Sequence, residues 1–108
     1  MRSSTQALVV LVTCPTRPHA RRLAKTLVAK RLAACVNLLP QVQSLFWWEG
    51  RVDRATETLL IIKTTARRFE QLRSAIRTGH PYDVPEIIAL PIIRAHQPYL
   101  RWIRDSLR

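Results

Sequence analysis

Cys35 to Val52 reads CVNLLPQVQSLFWWEGRV, and the period of this stretch decides the fold. Val42, Ser44, Phe46, Trp48, Gly50 and Val52 fall on one face, and Gln41, Gln43, Leu45, Trp47 and Arg51 on the other, as in a β-strand. A return strand rich in β-branched residues follows from Thr56 to Thr65. Glu49-Gly50 has the composition of a two-residue turn. The alternation continues through Val52, however, so the turn is expected at Asp53 to Ala55. An arm from Cys35 to Val52 extends roughly 55–60 Å at ~3.3 Å per residue. One small sheet cannot cover such an arm, and Pro40 interrupts its ladder. Its distal part, with Phe46, Trp47 and Trp48, would stand as an apolar edge. Pairing with another subunit removes that exposure, so an oligomer is expected.

Upstream, Ala7 to Thr13 is a continuous apolar run, the pattern of a strand covered on both faces. Pro15 ends it, Thr16 can cap a helix, and Pro18 fits the first turn. Ala20, Leu23, Ala24, Leu27, Val28 and Leu32 recur at helical spacing, opposite Arg21, Arg22, Lys25 and Lys30. Downstream, Ala66 to Thr78 predicts a second helix carrying Phe69, Leu72 and Ile76 on one face and stopped by Gly79. Val84 to Ile93 predicts a fourth strand whose prolines suit a sheet edge. Pro98 opens a third helix with Leu100, Ile103 and Leu107 in one stripe. The order β-α-β-β-α-β-α predicts a single α+β domain over residues 1–108, a ferredoxin-like βαββαβ sandwich with a C-terminal helix.

Composition narrows the function. The 108 residues carry a net charge of +11 and only two glycines. Too few glycines remain for a phosphate-cradling loop, and no GxSxG or HExxH occurs, so the chain is expected not to be an enzyme. The basic residues are spread over all three helices rather than run together. That distribution fits a solvated basic face, and nucleic acid is not expected as a partner. The third strand, TLLIIKTT, has no aromatic on which a base could stack. Arg2 followed by ALVVLVTC superficially resembles a secretory leader, but its apolar run is short and doubles as a central strand. No apolar run approaches the ~20 residues that span a bilayer. Cys14 and Cys35 form no CxxC pair and fit reduced thiols of a cytoplasmic protein.

Cys14, Cys35, Glu57, His80, Asp83, Glu86 and His96 are each able to ligate a cation. Thiolate with imidazole favours copper or zinc over magnesium or calcium, although no local spacing gathers these residues. Equally, Cys35 can be a small buried hydrophobe. His80 can be an imidazole placed at a helix end. Glu57 and Lys63 share a strand face, where they either mark its solvated limits or line a cleft. Trp48 belongs to the hairpin arm, as packing surface or as a stacking platform.

The blocks RLAACVNLLPQVQSLFWWEGRV, IIKTT, HPYDVPEIIALPI and YLRWI together resemble the CutA divalent-cation tolerance family over nearly the whole chain. The resemblance implies a homotrimer whose long hairpins form intersubunit sheets, and an association with copper or another divalent cation. It also implies a likeness to trimeric PII signalling proteins, and no organic cofactor. Residue by residue, it implies Cys35, Glu57 and His80 as metal-ligand types. Asn37, Ser44, Trp48, Lys63, Tyr82 and Glu86 would line a ligand cleft between subunits. Thr16, Phe46 and the Ala95-His96 pair depart from the family pattern. Phe46 lacks the tyrosine hydroxyl common at that position.

Overall fold

A computed structural model describes residues 4–108; Arg2, weighed above as part of a leader, lies outside them. The element order is β1 (Ala7–Cys14), α1 (Arg17–Ala29), β2 (Cys35–Trp48), β3 (Arg51–Thr65), α2 (Phe69–Gly79), β4 (Ile87–Pro91) and α3 (Gln97–Ser106). A single 3-10 turn, Ala66–Arg68, leads into α2. The four strands form one antiparallel sheet in the order β2-β3-β1-β4. With both β1 and β3 central and a helix after each, this is the expected ferredoxin-like arrangement.

Thr16 caps α1 as its sequence suggests, its hydroxyl accepting from the His19 amide at 3.3 Å. Val28, placed in the apolar stripe by spacing, is instead exposed at the last turn of α1. The helices α1 and α2 cover the sheet face bearing Val10, Val12, Cys14, Leu60 and Ile62, all fully buried. Leu27, Leu72 and Ile76 fill the layer between. A second small cluster forms where Leu100, Ile103 and Leu107 of α3 pack on Ala7, with Ala34 and Ile92 beside them. The Thr64 hydroxyl donates to the Leu32 carbonyl at 2.7 Å, tying the α1–β2 connection to the sheet.

The turn differs from the expectation. It lies at Glu49-Gly50, where φ is 51° and 80°, and Trp48 pairs directly with Arg51. Two successive positive φ values match the right-handed twist of the flanking strands, and Gly50 takes its value without a Cβ penalty. The continued alternation through Val52 is simply the return strand in register with Trp47.

A second difference sits at Pro40. Leu39 faces Leu59 and Val42 faces Glu57, so two residues of β2 oppose the single Thr58 of β3. Pro40 has no amide to give the ladder, and Gln41 adopts a φ of 60°, the geometry of a bulge. The extra residue reverses the side-chain parity of everything beyond it.

The fourth strand is also shorter than expected, Ile87–Pro91 rather than Val84 to Ile93. Pro85 and Pro91 bound it, and β4 lies at the sheet edge, where missing amides are tolerated.

Candidate functional site

Pairing assigns each strand residue to a face. Because of the bulge, Cys35, Asn37, Val42, Ser44, Phe46 and Trp48 of β2 share one face with Lys63, Ile61, Leu59 and Glu57 of β3. Val9 and Leu11 of β1 and Ile88 and Leu90 of β4 continue it. This is the face turned away from α1 and α2. Six of the candidate residues, Cys35, Asn37, Ser44, Trp48, Glu57 and Lys63, therefore stand on the same surface. Apart from the patch under α3, that surface is apolar and open, with Leu39, Ile88 and Leu90 about half exposed.

Beyond β1 the hairpin continues alone. β1 pairs with β3 only from Thr58 to Thr65, so Arg51–Glu57 and the matching part of β2 form a two-stranded ribbon. Leu45 is 73% exposed and Trp47 75%, with Trp48 and Val52 also open. A bare ribbon carrying so much apolar surface is marginal by itself.

Two polar stations interrupt the open face. One lies near α3: the Lys63 ammonium donates to Asn37 Oδ1, and the Cys35 thiol lies 3.9 Å from the same oxygen. Tyr99 of α3 lies near enough to feel Cys35. Burial, then the Cys35 charge, raises its phenol above the ordinary range. Tyr99 also stacks on Trp102, with ring centroids 5.4 Å apart.

The other station is at the opposite end of the sheet. Tyr82 donates its hydroxyl to Glu57 Oε2 at 2.8 Å, and Glu57 is buried. The Tyr82 amide donates to His80 Nδ1 at 3.1 Å, so the ring proton sits on Nε2, which donates to the Thr13 carbonyl at 2.8 Å. β4 begins pairing only at Val12. The Thr13 carbonyl is thus available to the imidazole. Both nitrogens of His80 are committed, and its tautomer is fixed. Pro81 and Pro85 stiffen the connection that holds these groups. Glu86 is exposed and Asp83 likewise, and neither joins the network.

Sequence reading missed His19, whose ring meets His80 edge-on at a centroid distance of 5.7 Å. Its Nε2 is buried without a partner among the described residues. Burial, then the neighbouring His80 and Arg22, lowers its pKa, keeping it neutral. Only its place after the Thr16 cap, one turn into α1, offered a signal. Cys14 lies under the same corner. Burial and the Glu57 carboxylate push its thiol up to about 11, so it is held protonated at neutral pH.

The Tyr82–Glu57 bond carries a prediction. Burial, reinforced by Glu57, pushes the Tyr82 phenol from its ordinary 10 up to about 12. The folded state thus holds this proton more tightly than the unfolded chain. The resulting stabilisation is complete below pH 10 and disappears as pH rises through about 12. An ultraviolet tyrosinate titration should show a step near pH 12 that Tyr82→Phe removes. A single step at the ordinary value in the folded wild type would contradict the bond.

Within one chain the three metal-ligand types do not converge. Cys35 pairs with Lys63 and Val42 with Glu57, so Cys35 and Glu57 stand six residues apart along β3, roughly 20 Å at ~3.3 Å per residue. Among the described residues, no group of three or more His, Cys, Asp or Glu is placed to hold one ion.

Comparison with known proteins agrees with the fold and its blocks. The family model for the CutA1 divalent ion tolerance protein matches residues 8–106. The divalent cation tolerance protein (Cut A1) of Thermus thermophilus superposes with a TM-score of 0.91 at 46% identity, covering 93% of this chain and 97% of that one. The periplasmic divalent cation tolerance protein CutA of Archaeoglobus fulgidus superposes equally well, TM-score 0.91 at 39% identity, over 94% and 99% of the two chains. Protein CutA 1, chloroplastic, of Oryza sativa is 42% identical over 98% of this chain, which spans 60% of that relative's length. The chain belongs to the CutA1 divalent ion tolerance protein family.

Proposed function

We propose that the protein is a non-enzymatic homotrimer that binds divalent cations, copper foremost, at positions completed by a neighbouring subunit. The observation that carries this reading is the open sheet face. It is continuous, apolar and lined by Val9, Leu11, Leu59, Ile61, Ile88 and Leu90, and six of the candidate site residues stand on it rather than on the solvated helix side. Burying such a face contributes about 25 cal/mol per Å² of apolar surface removed from water. The overhanging ribbon, with Phe46, Trp47 and Trp48, adds a second surface that calls for a partner strand.

Assembly also answers the ligand geometry. Donors that are roughly 20 Å apart on one subunit can meet only if a second copy brings its Glu57–Tyr82 corner to a neighbour's Cys35. His80 can join only by releasing the Tyr82 amide from Nδ1, so ligation and the conformation of residues 80–86 are coupled. Both cysteines are free, which suits operation in the reducing cytoplasm. No described helix is long and apolar enough to cross a membrane.

Calorimetric titration with Cu²⁺ tests the ligand assignment. Cys35→Ala should weaken binding at least ~10-fold, the effect of losing one soft ligand or its partner. His80→Ala should weaken it and also loosen the Tyr82 loop. Wild-type stoichiometry and affinity in both variants would remove these residues as ligands. A second reading rests on the Lys63–Asn37 pair beside Cys35. A cation and an amide on an apolar wall suit a small anionic molecule, as in a PII-like sensor. That reading predicts saturable ligand binding that Lys63→Ala abolishes and a chelator leaves unchanged.

A further inference from the structure

At the end of the sheet away from Tyr82, the chain gathers arginines around the C-terminus of α3. Arg31 Nη1 donates to the Ser106 carbonyl at 2.8 Å, Arg68 Nη2 donates to the Leu107 carbonyl, and Arg104 Nε donates to the Thr5 carbonyl at 3.3 Å. Part of this is capping, since the last carbonyls of a helix need donors. These contacts use one donor from each guanidinium, however, and each carries five. The backbone contacts hold the forks in place and leave the rest of their N–H groups for something else.

Arg67, Arg68, Arg104 and Arg108 line one cavity of about 240 Å³, together with Ser4, Thr5, Thr65 and Leu107. None of the described lining residues has an acidic side chain. Asp105 is the nearest acid in sequence and pairs with Arg108 at 3.1 Å, an exposed i,i+3 bridge. A wider groove between the end of α1 and the start of α2 adjoins it through the shared Arg68 and adds Lys30, along with an Arg73 already paired with Glu70 at 3.1 Å. Arg67, Arg68 and Arg104, which have no carboxylate partner among the described ion pairs, share one small concavity and repel each other unless an anion sits among them. Arginine rather than lysine predominates, and its planar fork matches phosphate oxygens two at a time. The cavity also exceeds by several-fold the ~30 Å³ share of one water. We infer that this cavity binds a small oligophosphate, with Arg67, Arg68 and Arg104 gripping adjacent phosphate groups.

The reading is independent of the cation proposal, because the cavity lies at the Ala7–Thr65 end of the β1–β3 pairing and the Glu57 corner at the Cys14–Thr58 end. Of the lining arginines, Arg67 is exposed and makes no side-chain bond to the fold among the described contacts, so its replacement should leave folding intact. The probe is tripolyphosphate, titrated calorimetrically at 0.15 M salt with a chelator present, so that bound cations play no part. One equivalent per subunit should bind, with the melting temperature rising as its concentration rises. Arg67→Ala should weaken binding about 10-fold or more, and Arg67→Lys less, since lysine keeps the charge and loses the fork. The inference is overturned if no saturable binding occurs, or if Arg67→Ala binds as wild type does. It is also overturned if duplex DNA binds with an affinity indifferent to Arg67 and tripolyphosphate fails to compete.

Discussion

Ile61→Glu is expected to dissolve the assembly while leaving the subunit folded. Ile61 stands at the centre of the open face, opposite Leu11 on β1 and Asn37 on β2. In a lone subunit the new carboxylate reaches water, because no helix covers that position. In an assembly that closes this face it would be buried in each copy without a partner charge. Burying an unpaired charge costs several kcal/mol per site, more than one interface contact returns. Light scattering should therefore report a monomer, and far-ultraviolet circular dichroism a nearly unchanged subunit. Ile62→Glu, one residue on, is the control. Ile62 is fully buried under α1 and α2, and that variant should not fold at all. An Ile61→Glu protein of wild-type mass would show that the open face is not the interface.

Leu60→Ala should cost about 2–5 kcal/mol of unfolding free energy, the usual range for emptying a packed leucine site. Leu60 is fully buried on β3, one of the two central strands, and belongs to the cluster with Val10, Val12, Leu27 and Ile76. Neighbours on two helices and a second strand cannot all close the gap. Leu59→Ala, on the opposite face, should cost the isolated subunit far less and should weaken association instead. Chemical denaturation of both variants in the Ile61→Glu background separates the two effects. Equal losses at the two positions would mean that the sheet has no open face.

Much of this architecture was legible because the two periods are clean. The apolar run Ala7 to Cys14 and the amphipathic stripe of α1 need only side-chain spacing, and the sequence order of elements leaves few topologies. The hairpin was legible as an overlong arm, but not in its details. The turn at Glu49-Gly50 is masked in the sequence because alternation alone cannot tell one continuing strand from two strands in register. The bulge at Pro40–Gln41 was harder still. Read straight through, the period places Cys35 and Asn37 on the side opposite Ser44 and Trp48. Only the two-against-one pairing brings them together. The candidate site depended on that one residue. His19 was invisible for a different reason: its role comes from contact with His80, 61 positions away in the chain, and nothing local marks it.

Copies of the chain are expected to close the open face and to complete the cation ligands between them. Native mass spectrometry of the wild-type chain at micromolar concentration, with and without Cu²⁺, asks both questions in one spectrum. The expected result is a trimer without copper and the same trimer carrying bound copper ions when it is added. A stable monomer, or a monomer that binds copper as well as the assembled protein does, would contradict it.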